Sequence, residues 1–158
     1  MHPTAQKVAD AAQTLGLDIT IQEFEAGSRT AEDAANAVGC PVAKIVKSLL
    51  FMVNGQPTMA LVSGANRLDE KKLAAACKVG KKKVKRSNAE TARDITGFAI
   101  GGVPPFGHKN KLPTYIDQDF LQFDIIWAAG GTPNAVFAIT PEDLIKATEG
   151  MVADLKAT

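Results

Sequence analysis

Eleven residues in the second half of the chain, GFAIGGVPPFG at 97–107, limit what it can fold into more than any other stretch. They hold four glycines, Gly97, Gly101, Gly102 and Gly107, and the adjacent prolines Pro104 and Pro105. Glycine leaves the backbone too free for a helix or a regular strand, and proline donates no N–H, so no helix or central strand passes through here. A shaped loop is expected over 97–113. Lacking Cβ atoms, Gly101 and Gly102 leave their amides open to a ligand oxygen, while Pro104, Pro105 and Phe106 stiffen the far side, as in an anion or oxyanion cradle. The same composition also suits a tight structural turn.

The second informative stretch is 46–53, VKSLLFMV, followed by Asn54-Gly55 and a returning strand at 58–63. Asn-Gly between apolar runs is the strongest short signal for a two-residue hairpin turn. The run 49–53 is apolar at every position, which predicts a strand buried on both faces. With a pleat period of two, Lys47 projects on the side of Leu49, Phe51 and Val53. A lysine opening a buried strand face either snorkels to water or holds an anionic partner in a cleft, because an unpartnered buried ammonium costs several kcal/mol.

The remaining segments alternate in type. Helical spacing of Ala5, Val8, Ala9, Ala12 and Leu15 predicts a helix over 4–15 that stops at Gly16, and a short strand follows at 18–24. Thr30-Ala31-Glu32-Asp33 reads as a capping box for a helix ended by Gly39, and 68–77 as another helix. Residues 82–86 read as a charged strand, Ser87-Asn88-Ala89-Glu90 as a second capping box, and 112–116, 124–129 and 135–139 as strands. Thr140-Pro141-Glu142-Asp143 supplies an N-cap, a first-turn proline and first-turn acids for the last helix. The pattern predicts one α/β (α+β) domain over 1–158, with a mixed, strongly curved central sheet surrounded by helices.

At 158 residues and 46% hydrophobic, the chain can bury a substantial core. No stretch approaches the roughly 20 apolar residues of a membrane span, and residues 1–10 lack a signal-type apolar segment, so a cytoplasmic location is expected. Cys40 and Cys77 lack metal or redox spacing, and His2 and His108 are too few for a zinc site, so no metal is expected. Cys40, between a helix-ending glycine and Pro41, is read as a small buried or half-buried residue against the alternative of a nucleophile. His108 is either an exposed loop residue or a base. The net charge of +1 hides a run at 78–86, KVGKKKVKR, with no acid in it. Lys81, Lys82, Lys83, Lys85 and Arg86 form either a solvated face or a contact for nucleic acid. Dinucleotide, Walker, nucleophile-elbow and zinc-protease motifs are all missing from the sequence. A cleft lysine, accessible amides and a basic surface without a nucleophile suit a reaction that needs orientation and charge stabilisation, such as hydrolysis of an activated ester.

Four segments together resemble the YbaK/ProX family of free-standing aminoacyl-tRNA deacylases, which is related to the editing insertion of bacterial prolyl-tRNA synthetase. They are Ile45-Val46-Lys47-Ser48-Leu49-Leu50-Phe51, the Arg67-Leu68-Asp69-x-Lys71-Lys72-Leu73 helix start, the loop from Thr96-Gly97 through Gly101-Gly102-Val103-Pro104-Pro105-Phe106-Gly107, and the closing Pro141-Glu142-Asp143-Leu144. The resemblance implies cleavage of the ester between a wrong amino acid and the terminal adenosine of a tRNA. In it Lys47 holds the substrate, Gly101 and Gly102 orient ester and water, and the tRNA's own 2′-hydroxyl assists. Phe51, Ser63, Val103, Pro104, Pro105, Phe106, Gly107, His108, Gly130, Gly131 and Asn134 are expected to bind substrate. The basic run is expected to bind the acceptor stem.

Neither metal nor organic cofactor is implied. The expected partners are the aminoacyl-tRNA acceptor end and a prolyl-tRNA synthetase, with no DNA and no membrane. Cysteine-specific relatives carry an acid in the strand after the double glycine, where this chain has Ala135-Val136-Phe137-Ala138. They also carry a basic segment where it has Thr132-Pro133-Asn134, so the likeness is closer to the subgroup acting on small residues such as alanine. A non-catalytic tRNA- or synthetase-binding module and a small-molecule sensor are the alternatives. The deacylase reading requires the Lys47 ammonium and the amides of Gly101 and Gly102 to converge on one cavity, and it expects them on the same side of the sheet.

Overall fold

Asn54 and Gly55 both take positive φ, 51° and 80°, the backbone a type I′ turn demands. They close β2 (Ile45–Val53) onto β3 (Gln56–Ser63) in an antiparallel ladder running from Val53↔Gln56 to Val46↔Ser63. The computed structural model describes residues 1–25 and 30–158. Around the hairpin lie β1 (Ile21–Glu23), β4 (Val84–Arg86), β5 (Thr114–Asp117), β6 (Ile126–Ala129), β7 (Ala135–Ile139) and β8 (Met151–Ala153). The sheet order is β1-β7-β6-β2-β3-β5-β8, with β4 added to β2. It is a mixed sheet: β6 joins β2, β5 joins β3 and β8 joins β5 in parallel, and the other pairs are antiparallel.

Helices cover both faces. Val46 and Leu50 of β2, with Met59 and Leu61 of β3, pack in a cluster with Val8 and Ala12 of α1 (Pro3–Thr14), Ala92 of α4 (Ala89–Thr96) and Leu144 of α5 (Pro141–Thr148). On the other face Phe51, Val53, Ala60 and Val62 pack with Leu73 and Ala74 of α3 (Glu70–Ala76), and Ile45 with Ala34 and Ala35 of α2 (Ala31–Val38). The central hairpin is therefore sandwiched, as an unbroken apolar run requires. Among the described residues no helix is long and apolar enough to cross a membrane.

The elements differ from expectation mainly at their ends. The strand expected over 18–24 is only Ile21–Glu23, because the Leu17 amide still folds back on the Ala12 carbonyl (2.9 Å) and β1 has a three-residue register with β7. Asp69 caps α3 by accepting from the Lys71 amide (2.8 Å), which shortens the helix expected over 68–77. Lys81–Lys83 form a 3₁₀ turn instead of starting the strand. Ser87 does not cap α4: its amide donates to the Leu50 carbonyl (3.0 Å), continuing the strand edge, and Asn88 caps by accepting from Thr91 (2.7 Å). Pro113 has no N–H for the ladder, so β5 begins at Thr114. The expected 124–129 strand starts at Ile126. β8 has no counterpart among the expected strands, since three residues carry too little pattern to read.

The glycine-proline loop is held by its aromatic residue. Phe106 is buried, with its ring 5.5 Å from that of fully buried Phe137 on β7 at an interplanar angle of 50°. Phe106→Ala is expected to lower the unfolding free energy by about 3–5 kcal/mol, measurable by urea denaturation, with increased proteolysis within 97–107.

Candidate active site

The site arises from an incomplete strand edge. β2 pairs with β3 along one side, but its other side is divided: β6 takes only Ile45 and Val46, and β4 only Phe51 to Val53. Between them, residues 47–49 have no strand partner on that side among the described residues, and the Leu50 carbonyl takes the Ser87 amide (3.0 Å). The Gly64 amide bonding the Ile45 carbonyl (2.8 Å) sets the phase of the ladder, so Ser48 turns its backbone polar groups to the unpaired edge and Lys47 turns its own to β3. A cleft of about 300 Å³ occupies this gap, at the small end of ligand sites. Its walls come from β2 (Val46, Lys47, Ser48), β6 (Trp127, Ala128), the glycine loop (Ile100, Gly101, Val103) and the rim residues Arg86 and Pro133.

Contrary to the expectation that they share one side of the sheet, Lys47 and the glycine loop approach from opposite faces, and what they share is the cleft. Lys47 shares the face of Phe51, whereas Val103 packs with Val46 and Leu50 on the other. They line one cavity because the edge between β6 and β4 is open. The half-buried ammonium does not snorkel freely and, among the described residues, pairs with no carboxylate: it donates to the backbone carbonyl of Asn66 at 2.6 Å. That carbonyl is fixed in turn. The Asn66 amide donates to Asp117 (2.9 Å) and Asp119 (2.7 Å), and fully buried Asp117 also accepts from the backbone of Ser63 (3.0 Å) and Asp119 (2.9 Å). Burial pushes the Lys47 ammonium below the usual lysine range; Glu32 opposes the shift, Arg86 adds to it, and Asp117 opposes it.

The two central glycines serve different ends. Gly101 is exposed at the cleft with φ +90°, a conformation L-residues rarely adopt, so glycine is needed there for backbone shape. Gly102 is buried, its amide donates to Ala99 (3.0 Å), and a Cβ on it would stand 2.7 Å from the Gly131 carbonyl oxygen. Its bareness lets the 97–107 loop pack against the turn at 130–134, and its N–H is already engaged.

Of the residues expected to bind substrate, Val103 lines the cleft together with Lys47, Gly101 and Arg86. Phe51 lies buried beneath Arg86, whose guanidinium stands 5.7 Å from the ring centre, and the Ser63 hydroxyl donates to Ala43 (2.7 Å). Gly130 bonds Ala135 (2.7 Å), Gly131 packs close to Thr4, and Asn134 gives its carbonyl to Phe24 (2.8 Å). Pro105, Phe106, Gly107 and His108 line a separate cavity of about 330 Å³ with α1 and α5. His108 is half-buried there; burial lowers its pKa, and its Nε2 donates to the Pro104 carbonyl (2.6 Å), which can only accept. Lys81, Lys82, Lys83 and Lys85 are exposed outside the cleft. Cys40 is half-buried, and burial raises its thiol pKa.

Sequence reasoning passed over Ser48, Asn66, Asp117 and Trp127. Ser48 did carry a signal, a polar residue between Val46 and Leu50 on an otherwise apolar strand face. Asn66 and Asp117 are 51 positions apart and only the fold joins them.

A profile of the aminoacyl-tRNA editing domain matches residues 25–147. An Enterococcus faecalis protein, EbsC, whose name proposes a Cys-tRNA(Pro)/Cys-tRNA(Cys) deacylase, is 32% identical over 127 residues, covering 80% of this chain and 76% of that one. A proline–tRNA ligase of Elusimicrobium minutum is 33% identical over 129 residues, 80% of this chain but 22% of the ligase. A crystal structure described as a proposed trans-editing enzyme for prolyl-tRNA synthetase superposes with a TM-score of 0.94 at 44% identity, covering 100% of this chain and 99% of the other.

The charges around Lys47 make its titration directional. Followed by NMR of its side chain, Lys47 is expected to lose its proton below the ordinary lysine range. Arg86→Gln removes a repelling charge and raises that midpoint, whereas Glu32→Gln removes an attracting one and lowers it further. Because the folded value lies below the unfolded one, the unfolded chain binds more protons between the two, so this group's contribution to stability rises with pH across that window. Asp117→Ala, which strands three donors, is expected to cost about 3 kcal/mol in urea unfolding.

Proposed function

The chain belongs to the family of aminoacyl-tRNA editing domains, and on that premise we propose that it acts in trans to hydrolyse mischarged aminoacyl-tRNA. The bond cleaved is the ester between the terminal adenosine and a small wrong amino acid such as alanine or cysteine, with tRNA-Pro as the first substrate to test. The observation that carries this reading is the meeting of Lys47, Gly101 and Arg86 at one cleft. Such an editing site has a physical rationale, because a synthetase pocket separates amino acids differing by one methylene only about 10- to 200-fold.

The chemistry asks little of the protein beyond placement. Lys47, anchored on the Asn66 carbonyl, still has two N–H donors for the terminal nucleotide and its ester. The exposed amide at Gly101 orients the ester oxygen as charge develops on it. Water adds to the ester carbonyl, the bond to the ribose oxygen breaks, and the proton given up by water ends on that oxygen. Free amino acid and tRNA result, with the vicinal 2′-hydroxyl of the substrate assisting the transfer. Half-buried Trp127 gives the adenine an aromatic wall.

The basic residues extend this site outward. β4 ends at Arg86 on the cleft rim, so the exposed Lys81, Lys82, Lys83 and Lys85 lead along one strand and its preceding turn to the opening. This track suits the phosphates of an acceptor stem entering end first. The similarity to a segment of a proline–tRNA ligase supports a prolyl-tRNA synthetase as the enzyme whose errors are corrected, and a charged-tRNA substrate supports a cytoplasmic place of work.

A panel of tRNAs charged with alanine, cysteine, serine and proline, assayed for amino acid release, tests the proposal. Turnover of a small wrong residue with proline spared is expected, and Lys47→Ala should lower kcat/KM by about 10²- to 10³-fold without loss of fold. Binding without release on every substrate would instead indicate a non-catalytic tRNA- or synthetase-binding module. Replacing Lys81, Lys82 and Lys83 together with alanine should raise KM and flatten the salt dependence of binding, by about one unit of slope for each phosphate these side chains neutralise.

A further inference from the structure

Behind the cleft lies a chamber of about 20 Å³. It shares Ser48, Arg86, Ile100 and Val103 with the cleft, and Ala92 and Thr96 of α4 also line it. Its other hydroxyls have acceptors: Thr96 Oγ1 donates to the Ala92 carbonyl at 2.7 Å, and Ser87 Oγ lies 3.4 Å from the Asn88 carbonyl. Ser48 does not. Its hydroxyl oxygen is buried and has no hydrogen-bond partner among the described residues. Buried hydroxyls are almost always paired, because leaving one unpaired forfeits its hydration with nothing in return. A group of this kind at the junction of two cavities is placed for a ligand.

We propose that the chamber receives the side chain of the amino acid carried by the tRNA, and that the Ser48 hydroxyl is the group that determines specificity. It favours a small side chain with a hydrogen-bonding γ atom, serine or cysteine, over an apolar one of equal size. The inference rests on the editing function proposed for the cleft. Three features lead to it. A space of about 20 Å³ admits roughly one water-sized group, enough for a hydroxyl, thiol or methyl but not for a branched or longer chain. Leu50, Ala92, Ile100 and Val103 make its walls largely apolar, and such walls discriminate weakly between isosteres, whereas a hydrogen bond offered to one of them discriminates strongly. Finally, consecutive residues of a strand face opposite ways, so Lys47 and Ser48 diverge from the unpaired edge. An ester bound at that edge would have its nucleotide on the lysine side and its acyl side chain on the serine side.

Serine and 2-aminobutyrate have side chains of the same size, differing by a hydroxyl in place of a methyl, so they isolate this one interaction. Each is loaded on the same tRNA and the ratio of kcat/KM values is measured, which cancels any loss common to both. The wild-type protein is expected to favour the seryl ester about 10- to 100-fold. Ser48→Ala should bring the ratio to within about threefold of one, and Ser48→Cys, which keeps the shape with a weaker hydrogen bond, to an intermediate value. A wild-type ratio at or below one, or a ratio that Ser48→Ala leaves unchanged, overturns the proposal.

A second arm uses the non-hydrolysable 3′-amides of adenosine with the same two amino acids, titrated by calorimetry. The seryl amide should bind tighter to the wild type, with the difference abolished in Ser48→Ala. That preference without turnover of any ester would uphold the chamber's role and refute the hydrolytic reading. Turnover with a ratio insensitive to Ser48 would do the reverse.

Discussion

Everything specific to this molecule follows from the way β2 divides one of its edges between two strands. A strand in the middle of a sheet normally has both edges satisfied, because unpaired backbone groups are costly to bury. Here the register gives β6 two residues of β2 and β4 three, and what remains between them is a gap with backbone polar groups at its floor. The glycine loop and the turn at 130–134 close over the gap without filling it. A cavity so made is walled by strands and loop and polar at its base, which suits a reaction that depends on placement more than on a strong base.

The same gap explains why Lys47 is tolerable in a core strand. A half-buried ammonium needs a hydrogen-bond acceptor, and a neutral carbonyl satisfies it without cancelling its charge. The acceptor is held by Asn66 and Asp117, the latter fully buried and accepting from three N–H groups. The cation therefore keeps its charge while its position is fixed from behind. Arg86 adds a second positive charge at the exposed rim, where desolvation costs less.

Much of this is legible from residues alone. The Asn54-Gly55 turn, the caps at Thr30 and Thr140 and the break at 97–107 are local matters, decided by which φ and ψ angles a few neighbouring residues allow, and the structure contains them. Prediction is weaker where a role depends on what lies across the fold. Gly102 reads as an open amide but is glycine because another backbone segment passes 2.7 Å from where a Cβ would be. His108 and Phe106 sit close to Gly101 in sequence and yet line a different cavity, one shared with residues of α1 and α5.

The order of helices and strands as far as the last helix, the sandwiching of the central hairpin and the lysine at the mouth of a buried strand are written in the residues themselves, whereas β8 is not. They follow from backbone freedom, periodicity and the cost of burying charge, which act over a few positions. It took the folded chain to establish that β6 and β4 stop short of each other on β2, that Asn66 and Asp117 brace the lysine, and that the Ser48 hydroxyl is left unpartnered among the described residues. Each of these is a matter of which distant segments meet. Register and packing are set by the sum of many long-range interactions, and no window of sequence contains that sum.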